Sequence, residues 1–221
     1  MKKISILLIF LGAVFLCTSN AAFADLFGFD NISNNSGVAG TLADQLFVDI
    51  TDAGAGEVQF KFSNDGFVVI TPIPSVIADI YWEDTSDLLS NPSIVGSPTT
   101  TTGVVFIAIT PPGNFPEGNT IGFTEDFEVA ADNPAPHNGV DVGEMLGVIF
   151  TGDFDDVIAA LVNGDMRIGM HLISIGEEEN PPSDSFVNNP NPIPEPATML
   201  LIGSGLIGLA GFGRKKFFKN S

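Results

Sequence analysis

The chain has 221 residues, of which 27 are Asp or Glu and 8 are Lys or Arg, giving a formal net charge of −19 at pH 7. An electrostatic field of this sign repels phosphate backbones, which disfavours nucleic acid as a partner. The one cysteine, Cys17, lies in the N-terminal apolar stretch. The rest of the chain therefore has no disulfides, thiol nucleophiles or cysteine-bound zinc.

The N-terminus has the pattern of a secretory signal peptide. Two lysines precede an apolar run over residues 4–17, and Ala22 and Ala24 frame an Ala-Phe-Ala sequence typical of a cleavage site. The apolar run is too short to cross a membrane comfortably. We therefore expect residues 1–24 to be removed after Ala24 and the rest of the chain to be exported.

Alternation of apolar and polar residues dominates residues 25–175. Val58, Phe60 and Phe62, for example, alternate with polar side chains, as in a half-buried antiparallel strand. Further candidate strands cover residues 26–32, 46–50, 67–71, 77–82, 104–110, 121–129, 146–150, 168–172 and 185–188. Many short strands separated by turn residues predict a mostly β fold, a single antiparallel β-sandwich or jelly-roll-like domain.

One short amphipathic helix interrupts this pattern. Phe154, Val157, Ile158 and Leu161 fall on one helical face, and Asn163-Gly164 follows as a C-terminal cap would. Residues 91–102 and 131–143 show no periodicity and are predicted to be loops. Residues 176–193 contain three consecutive glutamates, repeated Pro and Asn and only one short apolar patch, so we predict that most of them form a stalk.

The C-terminal region has the pattern of a membrane anchor. The uncharged residues 197–213 cover roughly 25 Å as a helix, which is enough to cross the hydrocarbon core. A basic cluster follows at once, and the positive-inside rule places such a cluster in the cytoplasm. We therefore expect an inner-membrane helix that holds the β domain outside the cytoplasm.

The triplet Pro194-Glu195-Pro196, the Gly-rich apolar helix and the basic cluster occur in that order. Over residues 194–219 this order resembles the PEP-CTERM sorting signal of Gram-negative bacteria. The resemblance implies that an exosortase, an integral-membrane enzyme, recognises the triplet and processes the tail, with Arg214, Lys215 and Lys216 as the basic stop. It also implies a surface or extracellular protein associated with exopolysaccharide or biofilm matrix.

Asp153, Asp155 and Asp156 are candidate ligands for Ca²⁺, because hard cations bind several oxygens placed close together. Their spacing does not fit an EF-hand loop. Acidic residues at the start of a helix also serve as caps and interact with the helix dipole. The sequence leaves both interpretations open and indicates no other cofactor.

Two further acidic groups are candidates for a cation site or a glycosidase-like pair of carboxylates. The first contains Glu83, Asp84 and Asp87, and the second contains Glu125, Asp126 and Glu128. At strand ends such residues also form ordinary solvated surfaces. The chain has no Gly-x-Ser-x-Gly elbow and no His-Glu-x-x-His helix, so no hydrolase motif supports an enzyme.

Trp82 is the only tryptophan, and carbohydrate-binding sandwiches stack sugars on such rings. A single tryptophan in a sandwich is also a common core residue. We therefore carry three functional hypotheses. The first is a non-enzymatic surface or interaction protein, the second is a Ca²⁺-dependent lectin-like module, and the third is a glycan-processing enzyme on a jelly roll.

Overall fold

The computed structural model of this chain describes residues 24–64 and 71–193. These residues form ten β-strands, three short α-helices and one 3₁₀ helix, Gly118–Ile121. The strands are β1 (Ala24–Asn31), β2 (Leu46–Gly54), β3 (Glu57–Asn64), β4 (Val76–Asp84), β5 (Ser90–Val95), β6 (Phe106–Ile109), β7 (Phe127–Ala131), β8 (Met145–Thr151), β9 (Met166–Ile173) and β10 (Asp184–Asn188). The α-helices are α1 (Ala39–Ala43), α2 (Ala135–Asn138) and α3 (Phe154–Asn163).

The described strands form one antiparallel sheet in the order β5-β8-β3-β2-β1-β10-β9-β4-β7-β6. β1 joins its two halves, because residues 24–28 pair with β2 and residues 29–31 pair with β10. The two edge strands, β5 and β6, also contact each other. The sheet therefore folds over on itself and encloses a core between its halves.

Aromatic side chains from both halves meet in this core. Phe60 and Phe62 project from β3, Phe150 projects from β8, and Trp82 projects from β4 between them; all four are at most 1% exposed. Each ring removes apolar surface from water, which stabilises the fold by about 1.5–3 kcal/mol per side chain. The alternation seen in the sequence thus corresponds to inward and outward faces of the strands.

The structure confirms the mostly β, antiparallel prediction, but one continuous sheet replaces two separate sheets. It also confirms α3, which Asp153 caps and which ends at Gly164 with φ 79°. The prediction of a single helix is wrong, since α1 and α2 are also present. β5 lies in a segment predicted to be a loop, and residues 67–70 of another predicted strand lie outside the described residues.

The candidate strand at residues 185–188 is confirmed as β10, and the predicted stalk is corrected, because β10 lies inside the sheet between β1 and β9. Phe186 of β10 is fully buried. Asp184 accepts hydrogen bonds from the Ser33 hydroxyl (2.7 Å) and from the backbone of Asn35 and Ser36. Burial alone would raise the pKa of Asp184, but the bonds from Ser36, Ser33 and Asn35 outweigh burial and lower it.

Among the described residues, no helix is long and apolar enough to cross a membrane. The predicted membrane helix, residues 197–213, lies outside that part of the chain. The predicted signal peptide does too, except for its last residue, Ala24, which begins β1.

We predict that a chain covering residues 25–193 folds and that a chain covering residues 25–183 does not. The shorter chain lacks β10, which leaves β1 and β9 without their shared neighbour and removes Phe186 from the core. Circular dichroism during heating should show a cooperative transition only for the longer chain. If the two chains melt alike, residues 184–193 are a stalk after all.

Candidate functional site

Trp82 is in the interior and not at a binding surface. Its side chain is 0% exposed, and the rings of Phe60, Phe62 and Phe150 contact it edge-on with centroid distances of 5.8, 5.6 and 5.0 Å. A sugar needs an exposed ring face on which to stack. The predicted carbohydrate-binding role of Trp82 is therefore wrong, and the alternative of a core residue is confirmed.

Asp153, Asp155 and Asp156 lie at the start of α3. The Asp153 carboxylate accepts hydrogen bonds from the backbone N–H groups of Asp155 (3.1 Å) and Asp156 (3.2 Å). Within residues 24–64 and 71–193, no group of three or more His, Cys, Asp or Glu side chains is placed to hold a metal ion. The structure therefore assigns this group to helix capping and does not support the predicted calcium site.

The other acidic groups fix a long connection against the sheet. We call residues 110–126, which join β6 to β7, the outer loop. Its backbone donates to Glu128 from Gly113, to Glu125 from Phe115 (2.7 Å) and to Glu83 from Thr124 (3.0 Å). Glu83 on β4 and Glu128 on β7 act as acceptors that hold the outer loop over the outer face of the sheet, whereas Glu125 bonds within the outer loop itself.

Asp84, at the end of β4, and Asp126, the last residue of the outer loop, form a second pair of contacts. Asp126 accepts from the backbone N–H of Asp84 at 2.7 Å, and Asp84 accepts from the backbone N–H of Leu89 at 2.7 Å. Asp84 is 3% exposed. The predicted cluster is thus spatially real, but one oxygen of Asp84 and one of Asp126 bind backbone groups of neighbouring turns. The other oxygen of Asp84 is buried without a hydrogen-bond partner among the described residues.

Arg167 on β9 completes the attachment of the outer loop. Its guanidinium pairs with Glu83 and donates to the carbonyls of Ile121 (2.9 Å) and Gly122 (2.8 Å). It also lies 5.2 Å from the ring centroid of Phe123, within cation–π range. One basic side chain therefore connects the sheet to two carbonyls and one ring of the outer loop.

A small aromatic cluster lies beneath the outer loop. Phe115 packs against Tyr81 and Phe123 at centroid distances of 5.1 and 5.0 Å, and all three are at most 4% exposed. A Cβ added to Gly169 would lie 2.7 Å from Phe115. Only glycine at position 169 of β9 lets this ring approach the sheet so closely.

Titratable groups also meet under the outer loop. Tyr81 hydrogen-bonds to Glu128, and His171 Nδ1 lies 2.9 Å from Asp79 Oδ2. Burial, together with the charges of Asp79 and Glu128, raises the pKa of Tyr81, so its hydroxyl stays protonated. Burial also raises the pKa of Glu128, while the N–H of Gly113 partly offsets that effect. The outer loop covers Tyr81 and Glu128, so neither side chain is open to a substrate.

A cleft of about 490 Å³ lies where the described chain ends. The backbone N–H of Asn189 donates to Gly28 (2.9 Å), and that of Ile193 donates to Leu26 (2.7 Å), so residues 189–193 run alongside β1. We call these residues the C-terminal segment. Residues that line the cleft include Phe29, Asp30, Asp44, Phe47, Pro192 and Ile193. Sequence reasoning missed this cleft because it assigned the C-terminal segment to a stalk.

The predicted sorting and processing residues lie next to this cleft in sequence but outside the described residues. They comprise the triplet Pro194, Glu195 and Pro196, the basic stop Arg214, Lys215 and Lys216, and Ala22 at the predicted signal cleavage site. Ala24 is the first residue of β1, and Ile193 forms a bridge to Leu26. The two ends of the described domain therefore emerge side by side.

Residues 192–215 match the family model of the PEP-CTERM protein-sorting motif. The match includes the predicted triplet and, of the basic stop, Arg214 and Lys215, whereas Lys216 lies one residue beyond it. It begins at two residues that line the cleft, Pro192 and Ile193. No curated protein and no solved structure matches the chain. The motif prediction is thus confirmed.

We predict that Arg167→Ala destabilises the protein by about 3 kcal/mol, because Glu83, with a side chain 6% exposed, loses its charged partner. The matched control is Lys61→Ala. The Lys61–Asp49 pair is 34% and 26% exposed, so its loss should cost less than about 1 kcal/mol. Urea unfolding measures both, and equal losses would contradict the anchoring role of Arg167.

Limited proteolysis gives a local readout for the same variants. A protease that cuts after glutamate should cleave at the exposed Glu117 faster in Arg167→Ala than in the wild type. Lys61→Ala should be cleaved at the wild-type rate, since Lys61 lies on β3, away from the outer loop.

We predict that Glu128→Gln changes the pH dependence of stability. Because folding raises the pKa of Glu128, its contribution to stability is full below its ordinary value of about 4.5 and is lost as pH rises through the folded-state pKa. The free energy of unfolding of the wild type minus that of Glu128→Gln should therefore fall with rising pH and then level off. Urea unfolding over roughly pH 4 to 8 tests this, and a difference that grows with pH would contradict it.

Proposed function

We propose that this chain, which carries a PEP-CTERM sorting motif at residues 192–215, is a non-enzymatic structural or interaction protein of the cell surface or extracellular matrix. The motif is a substrate signal for exosortase and indicates an exported, surface-sorted protein. The match over residues 192–215 is the observation that carries this proposal.

The route of export follows from the two ends of the chain. A signal peptide over residues 1–24 starts translocation, and an apolar helix over residues 197–213 stops it. Arg214, Lys215 and Lys216 stay in the cytoplasm, so the β domain lies outside as an inner-membrane-anchored precursor. Exosortase then recognises the triplet and processes the tail, which releases the domain to the surface or the medium.

The contacts of the acidic residues support a non-enzymatic role. Carboxylates that a glycosidase would use as acid and nucleophile serve here as acceptors for backbone N–H groups, as Glu83, Glu125 and Glu128 do for the outer loop. A reacting carboxylate needs access to substrate, whereas Glu83 and Glu128 are at most 7% exposed. Their contacts are those of structural residues.

Association with exopolysaccharide or biofilm matrix is part of the proposal and rests on the resemblance to other proteins with this sorting signal. The surface charge is compatible with it. Among the described residues, the basic side chains Lys61 and Arg167 are both paired with carboxylates, so the exterior is strongly acidic and hydrated. Such a surface repels acidic polysaccharides and does not repel neutral ones.

We predict that replacing the triplet by Pro194→Ala, Glu195→Ala and Pro196→Ala abolishes processing. The full chain is expressed in cells with and without the exosortase, and mass spectrometry identifies the C-terminus of the exported protein. The wild type should lose its tail only when the enzyme is present, and the triple variant should keep Ser221 in both strains. The matched control, Pro181→Ala with Pro182→Ala, should be processed like the wild type.

Retention of Ser221 by the wild type in both strains would refute sorting through this motif. Recovery of the full chain from the cytosol, with Met1 and Ser221 both present, would refute export as well. Loss of the tail in the triple variant would show that another sequence is recognised.

A further inference from the structure

The cleft beside the C-terminal segment has the composition of a recognition surface. Phe29 and Phe47, which are 4% and 7% exposed, form its apolar floor. Asp30 and Asp44 are exposed at its rim. Its volume of about 490 Å³ is comparable to that of pockets that bind small molecules or single side chains of a partner.

The wall of the cleft is also the start of the sorting motif. Pro192 and Ile193 line the cleft and are the first two residues of the match. Ile193 is fixed to β1 through its backbone bond to Leu26 (2.7 Å), and its Cδ1 lies 3.4 Å from where a Cβ on Gly28 would be. The motif therefore begins on the folded domain.

Only three residues, Pro194 to Pro196, separate this wall from the predicted membrane helix. Three extended residues span at most about 11 Å. An enzyme that binds the triplet must therefore approach within about that distance of the cleft.

Among the described residues, no cationic side chain pairs with the rim carboxylates. The ion pairs within residues 24–64 and 71–193 join Lys61 to Asp49, Arg167 to Glu83 and His171 to Asp79, and none includes Asp30 or Asp44. Asp30 accepts one hydrogen bond, from the side chain of Asn189 at 3.1 Å. The charge of the rim is thus available to a cationic group from outside.

We propose that this cleft is a docking surface for the sorting enzyme itself. The occupant is an extramembrane segment of that enzyme with a Lys or Arg for the rim carboxylates and an apolar side chain for the phenylalanine floor. The enzyme then recognises a composite of triplet and folded domain. This inference rests on the proposed function, since it names a second contact for the same partner.

The first test removes the rim charge. In cells that express the enzyme, pulse-chase labelling of the full chain gives the rate of tail removal. Asp30→Asn with Asp44→Asn should slow removal about fivefold, the effect of two exposed charge contacts. The matched control, Glu178→Gln with Glu179→Gln, removes the same charge from an exposed connection and should leave the rate unchanged.

The second test separates the triplet from the cleft without altering either. Six inserted residues of alternating Gly and Ser between Ile193 and Pro194 increase the possible distance between the cleft and the triplet by up to about 20 Å. This insertion should also slow tail removal several-fold. The same six residues inserted between Glu178 and Glu179 lengthen the chain elsewhere and should have no effect.

The variant with all three triplet residues replaced by alanine, here called the triplet variant, separates failure of the sorting proposal from failure of the docking proposal. If the triplet variant is processed like the wild type, the proposed function fails. If the triplet variant is not processed while the rim and linker variants are processed at the wild-type rate, sorting stands and the docking surface is refuted. Circular dichroism of each variant confirms that the domain is folded.

Discussion

The pairing of β1 with both β2 and β10 determines the shape of the domain. The first half of β1 belongs to one half of the sheet and its second half belongs to the other, so this strand carries the chain from one layer to the next. The core rings around Trp82 come from both layers and are enclosed only when β10 fills the place between β1 and β9. Because the first described strand pairs with the last, the sheet is completed only when the chain is present through β10.

Much of the fold follows from local pattern. Val58, Phe60 and Phe62 alternate with polar residues because one face of β3 lies in the core. Asp153 caps the start of α3 and Gly164 caps its end, and both are residue types that commonly occupy these positions. The strand at residues 185–188 was predicted, but its place inside the sheet was not, because it is short, follows acidic and Pro-rich residues, and pairs with β1 more than a hundred residues away. β5 contains a proline and lies at the edge of the sheet, where proline is tolerated but local rules count against a strand.

In the candidate site, too, the sequence indicates which residues are acidic, whereas their contacts depend on residues that are distant in sequence. Composition identified the acidic groups around Glu83 and Glu128, and they do gather in space. What they bind was not predictable, because the donors are backbone N–H groups of an aperiodic loop whose position depends on Arg167 and Phe115. Trp82 could face either side of β4 as far as its neighbours in sequence indicate. The strand register with β9 and β7 places it inside.

The short connection between Ile193 and the triplet explains how a surface with two exposed carboxylates can contribute to recognition. Free in solution, each charge contact of this kind is worth roughly 0.2–1 kcal/mol, too little to hold a partner. Once the enzyme has bound the triplet, the cleft is held close to it, and contact between the cleft and the enzyme becomes intramolecular. Weak contacts can then contribute to recognition. In the processing step that we propose, removal of the tail cuts the tether, and the same contacts are then too weak to retain the product. On this account the weakness of the cleft is what allows the sorted domain to leave the enzyme.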